Sequence, residues 1–260
     1  MLSQPAVRAD SPLRLSLIGD FALSHDGARV PIPPIAQRVV AFVSLRSHPV
    51  RRSYVSGTLW PDAPEQRAAA SLRSALCRVP TVDGSALVGA SRSHVWLGAA
   101  VTVDLRTAVA LATEVIDGLR LGSDLVGLGR AVCADFEDLL VGWYEDWVIF
   151  ERERFRQLRL HALDRLGEEL LAQGRYFDAL QVGLVSAAVE PLHESAHRLI
   201  VRTHLAEGNV AAALRAYTTY ARQLDQELGV GPSPAMTELV PGVRGGVDTA
   251  ARSRRAGSRP

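Results

Sequence analysis

Residues 68–80 carry arginine and serine on what can be one side of a helix. The side that must be buried has apolar residues at positions i, i+4 and i+7, namely Leu72, Leu76 and Val79. The residues left pointing outward are Arg73, Ser74, Cys77 and Arg78. Guanidinium groups pair with phosphate oxygens and guanine edges, so this face could contact a nucleic acid. An ordinary solvated face has the same composition, and the helix alone does not decide between the two.

Arg92 lies in the loop Ser91-Arg92-Ser93, between two strand-like segments. An arginine at the tip of a hairpin can enter a minor groove or contact phosphates. Hairpin tips also carry arginine without any such function, and the loop by itself leaves both readings open.

Three histidines are the other candidates for chemistry. His193 and His197 are four residues apart and could share a helix face as a metal pair. A third ligand would have to be the distant His204, and no cysteine or acidic residue is placed to complete the site. We therefore expect these histidines to pack between helices, and we predict no metal site.

Catalysis is not indicated by any motif. No Gly-x-Ser-x-Gly elbow or equivalent brings a nucleophile and a base together. All 29 basic residues are arginine, which excludes Walker A loops, Schiff-base enzymes and Ser-x-x-Lys hydrolases, because each needs a lysine. We predict no catalytic residue, no cofactor and no enzyme activity.

The elements around Arg73 and Arg92 follow the order strand, strand, three helices, hairpin. Alternating apolar residues and turn signals predict strands over residues 13–17, 21–23, 30–32, 86–88, 94–97 and 101–105. Helical spacing, a Ser53 cap and proline stops predict helices over residues 35–45, 53–59 and 64–79. This order is typical of an α+β winged helix-turn-helix with small sheets, whose third helix reads DNA.

The second half of the chain contains an internal repeat. Ala172-Gln-Gly-Arg-Tyr-Phe-Asp-Ala-Leu180 recurs 34 residues later as Ala206-Glu-Gly-Asn-Val-Ala-Ala-Ala-Leu214. That period is typical of tetratricopeptide-type helix pairs, with Gly174 and Gly208 where one helix must end. The sequence predicts an all-α, tetratricopeptide-like helical repeat domain, a class that usually holds partners.

Charge is unevenly distributed, although the net charge is only +1. Residues 1–105 contain 11 arginines and 7 acidic residues, residues 106–240 contain 13 and 20, and residues 241–260 contain 5 and 1. A basic first domain, an acidic second domain and a basic tail indicate that only part of the chain faces a polyanion.

Features of a membrane or secreted protein are not found. No apolar run approaches the roughly 20 residues that span a bilayer, and residues 1–10 lack the pattern of a signal peptide. Cys77 and Cys133 are too few for a disulfide framework or a zinc knuckle. We expect no membrane partner and a cytoplasmic, nucleoid-associated location.

An ordered set of short motifs runs along residues 13–234. In the first half they are Leu17-Ile-Gly-Asp-Phe21, Gln37-Arg38, Leu59-Trp-Pro-Asp62, Ala70-Ser-Leu-Arg-Ser-Ala-Leu76 and Val103-Asp-Leu105. In the second half they are Asp146-Trp147, Glu151-Arg-Glu-Arg154, Pro191-Leu-His-Glu-Ser-Ala-His197, His204-Leu-Ala-Glu-Gly208 and Gly229-Val230. This set resembles the SARP family of actinobacterial antibiotic-regulatory activators. Members join an OmpR-type winged helix to a bacterial transcriptional activator domain, and the chain resembles the short form.

The resemblance implies an activator that binds promoter direct repeats and recruits RNA polymerase holoenzyme for a secondary-metabolite gene cluster, with self-association as a further expectation. With the composition, it divides the chain into a flexible arm (1–12), an OmpR-type winged-helix DNA-binding domain (13–105), a bacterial transcriptional activator domain (106–240) and a disordered basic tail (241–260). The predicted DNA-facing residues are Arg67, Ala70, Ser71, Arg73, Ser74, Arg78 and Arg92.

An interaction scaffold is the alternative hypothesis. In it, the winged helix no longer binds DNA and the helical repeats hold a peptide or protein. The modest basicity of residues 1–105 and the early helix stop at Pro80 motivate it.

Overall fold

The computed structural model describes residues 13–118 and 138–240. These residues form two compact units, the first from residues 13–110 and 138–155 and the second from residues 111–118 and 156–240. The predicted arm, the predicted tail and Cys133 lie outside the described residues. The predicted domain boundaries stay predictions.

The first unit mixes small sheets with helices. Its strands are β1 Leu13–Ser16, β2 Ala22–His25, β3 Ala28–Arg29, β4 Val50–Arg51, β5 Thr81–Val82, β6 Ser85–Ala86, β7 Val88–Ala90, β8 His94–Leu97 and β9 Val101–Val103. Its helices are α1 Pro34–Ser44, α2 Arg52–Leu59 and α3 Glu65–Leu76. Two further helices, α4 Asp104–Ile116 and α5 Asp146–Ala172, begin in this unit and end in the second.

Three sheets frame the helices of the first unit. The N-terminal sheet has the order β3-β2-β1-β9, with β1 and β9 parallel. A second sheet has the order β4-β8-β7, and β5 pairs with β6. This arrangement confirms the predicted mixed fold, a winged helix-turn-helix with small sheets.

The core of the first unit is continuous between the N-terminal sheet and α1. Leu15, Leu17 and Phe42 are almost completely buried in it, and Trp147 packs edge-on against Phe42 at 5.3 Å between ring centroids. Asp104 joins the sheet to α4, because its carboxylate accepts hydrogen bonds from the Leu17 and Ile18 backbone amides and the Ser16 hydroxyl.

The second unit is a stack of helices. After the end of α5 it contains α6 Tyr176–Val189, α7 Glu194–Ala206, α8 Val210–Leu228 and the short α9 Pro234–Thr237. Gly174 and Gly208 have φ angles of 71° and 75° at the ends of α5 and α7. Only glycine adopts this left-handed conformation without steric cost. The predicted helical repeat is therefore confirmed, with its two glycines ending equivalent helices.

Several sequence-based boundaries are wrong: the predicted strand 86–88 is interrupted at Leu87, the predicted strand 101–105 ends at Val103 where α4 begins, and three further errors have a local cause. The return strand is Ala28–Arg29 and not residues 30–32, because Asp26 and Gly27 form a tight turn with positive φ angles and pairing resumes at once. The second helix begins at Arg52 without the predicted Ser53 cap, since the Arg52 amide donates to the Ser93 carbonyl instead.

The third error concerns the end of the third helix. Helix α3 ends at Leu76, and residues 77–79 continue as turns in which the amide of Val79 donates to the Leu76 carbonyl. Pro80 disfavours the helical conformation for the residue before it, which explains the earlier end.

Candidate nucleic-acid interface

Helix α3 is positioned by a narrow apolar stripe. Ala68, Leu72 and Ala75 are buried, with exposures of 2% or less, and α3 packs on α1 and α2. Pro64 precedes the helix and Glu65 occupies its first turn, where an acidic side chain is favoured by the helix dipole. The stripe therefore fixes which side of α3 faces solvent.

The predicted DNA-facing residues lie on that solvent side or beside it. The exposed ones are Arg67, Ala70, Arg73, Ser74, Arg78 and Arg92. Ser71 is half-buried, and Arg78 lies just after the last helical residue. Cys77 is an exposed free thiol at the same helix end.

The four arginines of this set share a second property. Within residues 13–118 and 138–240, the guanidinium groups of Arg67, Arg73, Arg78 and Arg92 make no hydrogen bond or ion pair. A guanidinium has five donors, all available here to an external acceptor. Other arginines of the first unit donate hydrogen bonds to backbone carbonyls of the protein.

Arg38 is one such arginine, since it donates to the Leu59 carbonyl and pairs with Glu145 at 3.1 Å. Arg106 donates to the carbonyls of Ser44 and Arg46. Arg14 and Arg51 are also unpaired in the described part of the first unit, so lack of a partner alone does not define the site. The candidate site is therefore defined by unpaired arginines that also lie on or beside α3 and the β7–β8 hairpin.

The hairpin β7–β8 presents Arg92 at its tip. Gly89 pairs with Trp96 and Ala90 with Val95 across the two strands. The Ser91 amide donates to the His94 carbonyl at 2.8 Å, which closes the turn around Arg92. Arg92 itself is exposed.

A groove of about 550 Å³ lies between α2, α3 and this hairpin. Arg73 of α3 and Arg92 of the hairpin both line it, together with Arg52 of α2. Glu65 is the acidic residue of its lining, so three guanidinium groups face one carboxylate. The groove thus combines a helix face, a hairpin tip and a surplus of positive charge, which suits a polyanion.

The structure does not gather every predicted residue at this groove. Arg67 lines a different cavity of about 750 Å³, which includes the α2–α3 turn at Trp60 and the exposed Tyr144. Ala70, Ser71 and Ser74 line neither cavity, and the same is true of Arg78. These residues lie on or next to α3 but do not line the groove.

Arg52 was missed by the analysis of sequence. Its side chain donates to the Ser91 carbonyl at 3.0 Å, and its backbone amide donates to the Ser93 carbonyl at 2.8 Å. The only signal in the sequence is the Arg51-Arg52 pair before the second helix, which does not reveal a contact 39 residues further along the chain.

The three histidines considered as a metal site, His193, His197 and His204, have separate partners. The imidazole of His193 hydrogen-bonds to the Asp164 carboxylate at 2.9 Å, and His204 lies 3.5 Å from Glu207. His197 stacks on Tyr220 with 4.1 Å between ring centroids. Burial lowers the pKa of His197 below its usual 6.5. No group of three His, Cys, Asp or Glu side chains that could hold a metal ion occurs among the residues that the structure describes.

Burial also raises the pKa of Tyr220 to about 12, with the Glu194 carboxylate adding to the effect. The phenol is therefore protonated at neutral pH and can donate, and its oxygen lies 3.4 Å from the Leu192 carbonyl. The His197–Tyr220 stack is consequently a neutral packing contact between α7 and α8, with no feature of a proton-transfer site.

Comparison with known proteins found a matching family model and a similar curated protein. The model of the bacterial transcriptional activator domain matches residues 129–244. The regulatory protein AfsR of Streptomyces coelicolor is 28% identical over 244 residues, which are 90% of this chain and 24% of AfsR. The chain thus spans about a quarter of that relative's length.

The fold also matches a solved structure. Mycobacterium tuberculosis EmbR, in a complex with a low affinity phosphopeptide, superimposes with a TM-score of 0.72 at 19% identity, over 95% of this chain and 70% of EmbR. Across the described ranges, no helix combines the length and apolar character needed to cross a membrane. The chain therefore contains a segment that matches the bacterial transcriptional activator domain, is similar to a regulatory protein over most of its length, and shares its fold with EmbR.

Proposed function

We propose that the chain activates transcription by binding double-stranded promoter DNA through α3 and the tip of the β7–β8 hairpin. The observation that carries the proposal is the groove lined by Arg73 and Arg92, whose guanidinium groups have no partner in the part of the chain that the structure describes. A helix that reads base edges and a hairpin that contacts phosphate would supply the two kinds of contact that specific binding needs. No catalytic step is part of the proposal.

Binding to duplexes that the intact chain selects from a random-sequence library tests the proposal. Arg73→Ala should weaken binding to a selected duplex by about 1–3 kcal/mol if Arg73 reads a base, and much less on a scrambled duplex. Equal losses on both duplexes would instead assign Arg73 to phosphate. Arg14→Ala is the matched control, because Arg14 is exposed on β1, has no partner among the described residues and does not line the groove.

Salt dependence gives an independent measure of the interface. If the four unpaired arginines all contact phosphates, the logarithm of the binding constant should fall with the logarithm of salt concentration with a slope of about −4. Failure of the intact chain to enrich or retain any duplex at low salt would contradict the proposal and favour the scaffold alternative.

Recruitment of RNA polymerase holoenzyme is the second half of the proposed function. Its support is the excess of acidic residues over 106–240 and the exposed apolar side chains of Phe177 and Leu184 on α6, which are 70% and 49% exposed. Residues seven apart share a helix face, so these two side chains form one surface. Such a surface suits a protein partner or a second copy of the chain.

Transcription with purified polymerase tests this half. Phe177→Ser with Leu184→Ser should abolish activation from a promoter carrying the selected duplex, while binding to that duplex is unchanged. Leu228→Ser is the matched control, because Leu228 is 59% exposed and lies at the end of α8. Loss of DNA binding in the double variant, or full activation by it, would refute a separate polymerase-contact surface.

Binding to direct repeats, action at the nucleoid in the cytoplasm and control of a secondary-metabolite gene cluster are proposed from the family resemblance. Genome-wide capture of the DNA bound by the intact chain tests all three. We expect captured fragments to contain two half-sites in the same orientation, upstream of biosynthetic genes. Scattered single sites elsewhere would contradict these assignments.

A further inference from the structure

The tip of the β7–β8 hairpin is held from outside by the start of α2. Strand β4 pairs with β8, and Arg52 follows β4 directly. Its amide bonds to the Ser93 carbonyl and its guanidinium to the Ser91 carbonyl. Arg52 therefore holds the residues on both sides of Arg92.

The same hairpin is restrained from within. The Ser91 hydroxyl oxygen accepts hydrogen bonds from the amides of Ser93 and His94 at 3.3 and 3.0 Å. The indole of Trp96 lies directly over Gly89, since a Cβ atom added at Gly89 would be 2.3 Å from the Trp96 ring nitrogen. A glycine paired across strands with an aromatic ring is a device that fixes hairpin register.

Arg52 and Arg92 thus differ in how their side chains are used. The Arg52 guanidinium is engaged by a backbone carbonyl of the hairpin, whereas Arg92 makes no hydrogen bond or ion pair within the described ranges. Backbone carbonyls at a hairpin tip otherwise face water, and a charged donor held against one restricts the tip. The tip is fixed while the side chain at its centre stays available.

Resting on the proposed function, we propose that Arg52 is a positioning residue for DNA binding: it holds the hairpin so that Arg92 and Arg73 address one duplex together. It acts through the Ser91 and Ser93 carbonyls and not through a phosphate contact of its own. Pre-ordering the tip removes an entropic cost that binding would otherwise carry.

A double-mutant cycle on the full chain tests this role. Arg52→Ala, Arg92→Ala and the double variant are titrated with a selected duplex, at several salt concentrations. We expect each single change to weaken binding and to lower the salt slope by about 1. The double variant should bind within about twofold of Arg92→Ala and should show the same salt slope as Arg92→Ala. The effects of substitutions at residues that act as a unit are not additive.

Arg51→Ala is the matched control. Arg51 is exposed, unpaired in the described part of the chain and adjacent to Arg52, but it is not part of the groove. Its effect on affinity, if any, should add to that of Arg92→Ala. Additive losses for Arg52, with a salt slope lowered by about 2 in the double variant, would show a direct phosphate contact and overturn the positioning role.

Hydrogen exchange of the free chain provides the readout that does not depend on DNA. The Ser91 amide, which donates to the His94 carbonyl, should exchange faster in Arg52→Ala than in the unaltered chain. Unchanged exchange in a folded variant would overturn the proposal. If the unaltered chain binds no duplex, the proposed function fails and the positioning role fails with it, whereas additivity in a chain that binds overturns the positioning role alone.

Discussion

Arginine side chains of the first unit differ in whether they contact the protein. Arg152 donates to the carbonyls of Leu139, Leu140 and Trp143 at 2.8–3.1 Å, and so satisfies three backbone acceptors of one segment. Arg73 makes no such contact in the described residues and is exposed. One arginine therefore maintains the fold, and the other is free for a ligand.

Thermal and denaturant unfolding should distinguish Arg152 from Arg73. Arg152→Ala removes the side-chain donor of the Leu139 and Trp143 carbonyls, while the Leu140 carbonyl keeps the Trp143 amide, and should lower the free energy of unfolding by about 1–3 kcal/mol. Arg73→Ala should change it by no more than about 0.5 kcal/mol, as is usual for exposed sites. Equal destabilisation by both changes would show that Arg73 has a structural role.

Cys77 offers a chemical probe of the proposed interface. It is an exposed free thiol at the end of α3, next to Arg78. In a Cys133→Ser background, a selected duplex should slow alkylation of Cys77 by iodoacetamide, because bound DNA would cover that helix end. The scrambled duplex is the control, and an unchanged alkylation rate at saturating selected duplex would contradict the interface.

For single residues, the amino-acid sequence predicted solvent exposure better than it predicted hydrogen-bond partners. The spacing of Leu72, Leu76 and Val79 correctly indicates that Arg73 and Arg78 face solvent. It could not identify Arg52, because the acceptors of its hydrogen bonds are backbone carbonyls of a distant hairpin whose position depends on strand pairing. Backbone acceptors carry no signature in the amino-acid sequence.

Helices α6 and α7 pack closely because α6 has a glycine, Gly183, where it faces α7. A Cβ atom added at Gly183 would be 2.8 Å from Cγ1 of Ile200 and 3.5 Å from the Ala196 carbonyl oxygen. Alanine could be accommodated only by a shift of Ile200 or of the helix. Glycine is needed at position 183 because α7 leaves no room for a side chain there, and not because of an unusual backbone conformation.

Gly183→Ala should therefore lower the free energy of unfolding by about 1–2 kcal/mol, since the overpacking outweighs the gain in helix propensity. Gly57→Ala is the matched control: Gly57 lies inside α2, and its added Cβ would meet nothing within 4 Å. That change should raise the free energy of unfolding by about 0.5–1 kcal/mol. A stabilised Gly183→Ala variant would show that α6 and α7 can separate without cost.

The sequence predicted elements well where a local signal exists. The 34-residue repeat located the helix ends at Gly174 and Gly208, because a left-handed residue is needed there. The close approach at Gly183 had no such signal, since a glycine inside a helical pattern does not reveal its neighbour. The return strand was misplaced for a related reason, as the turn geometry and not the apolar pattern sets where pairing resumes.

For the whole molecule, the net charge of +1 conceals an uneven distribution of charged residues. The unpaired arginines around α3 and the hairpin belong to the first unit, whereas residues 106–240 carry a net excess of seven acidic residues. Acidic residues near DNA would repel it, so binding is expected to involve only the basic face. The contacts between the helices of the second unit include one titratable side chain with a shifted pKa, His197.

His197 makes the stability of the second unit depend on pH. Burial lowers its pKa in the folded chain, while the unfolded chain retains a value near 6.5. The unfolded state therefore binds more protons as pH falls through 6.5, and the free energy of unfolding must fall with it until the folded-state pKa is passed. Above pH 6.5 the ring is neutral in both states, and its stacking on Tyr220 and its hydrogen bond to the Pro191 carbonyl are fully retained.

The thermal midpoint of the full chain should consequently be lower at pH 5.5 than at pH 7.5, and the decrease should be smaller in His197→Phe, whose ring can still stack on Tyr220 but cannot titrate. The phenylalanine variant loses the hydrogen bond to Pro191 at every pH, so the comparison is between the two decreases and not between the absolute midpoints. The rest of the sequence is common to both chains, so the difference between the two decreases reports on the side chain at position 197. Identical decreases would mean that protonation of His197 carries no cost in the folded chain, and the contact between α7 and α8 would then tolerate a charged imidazole.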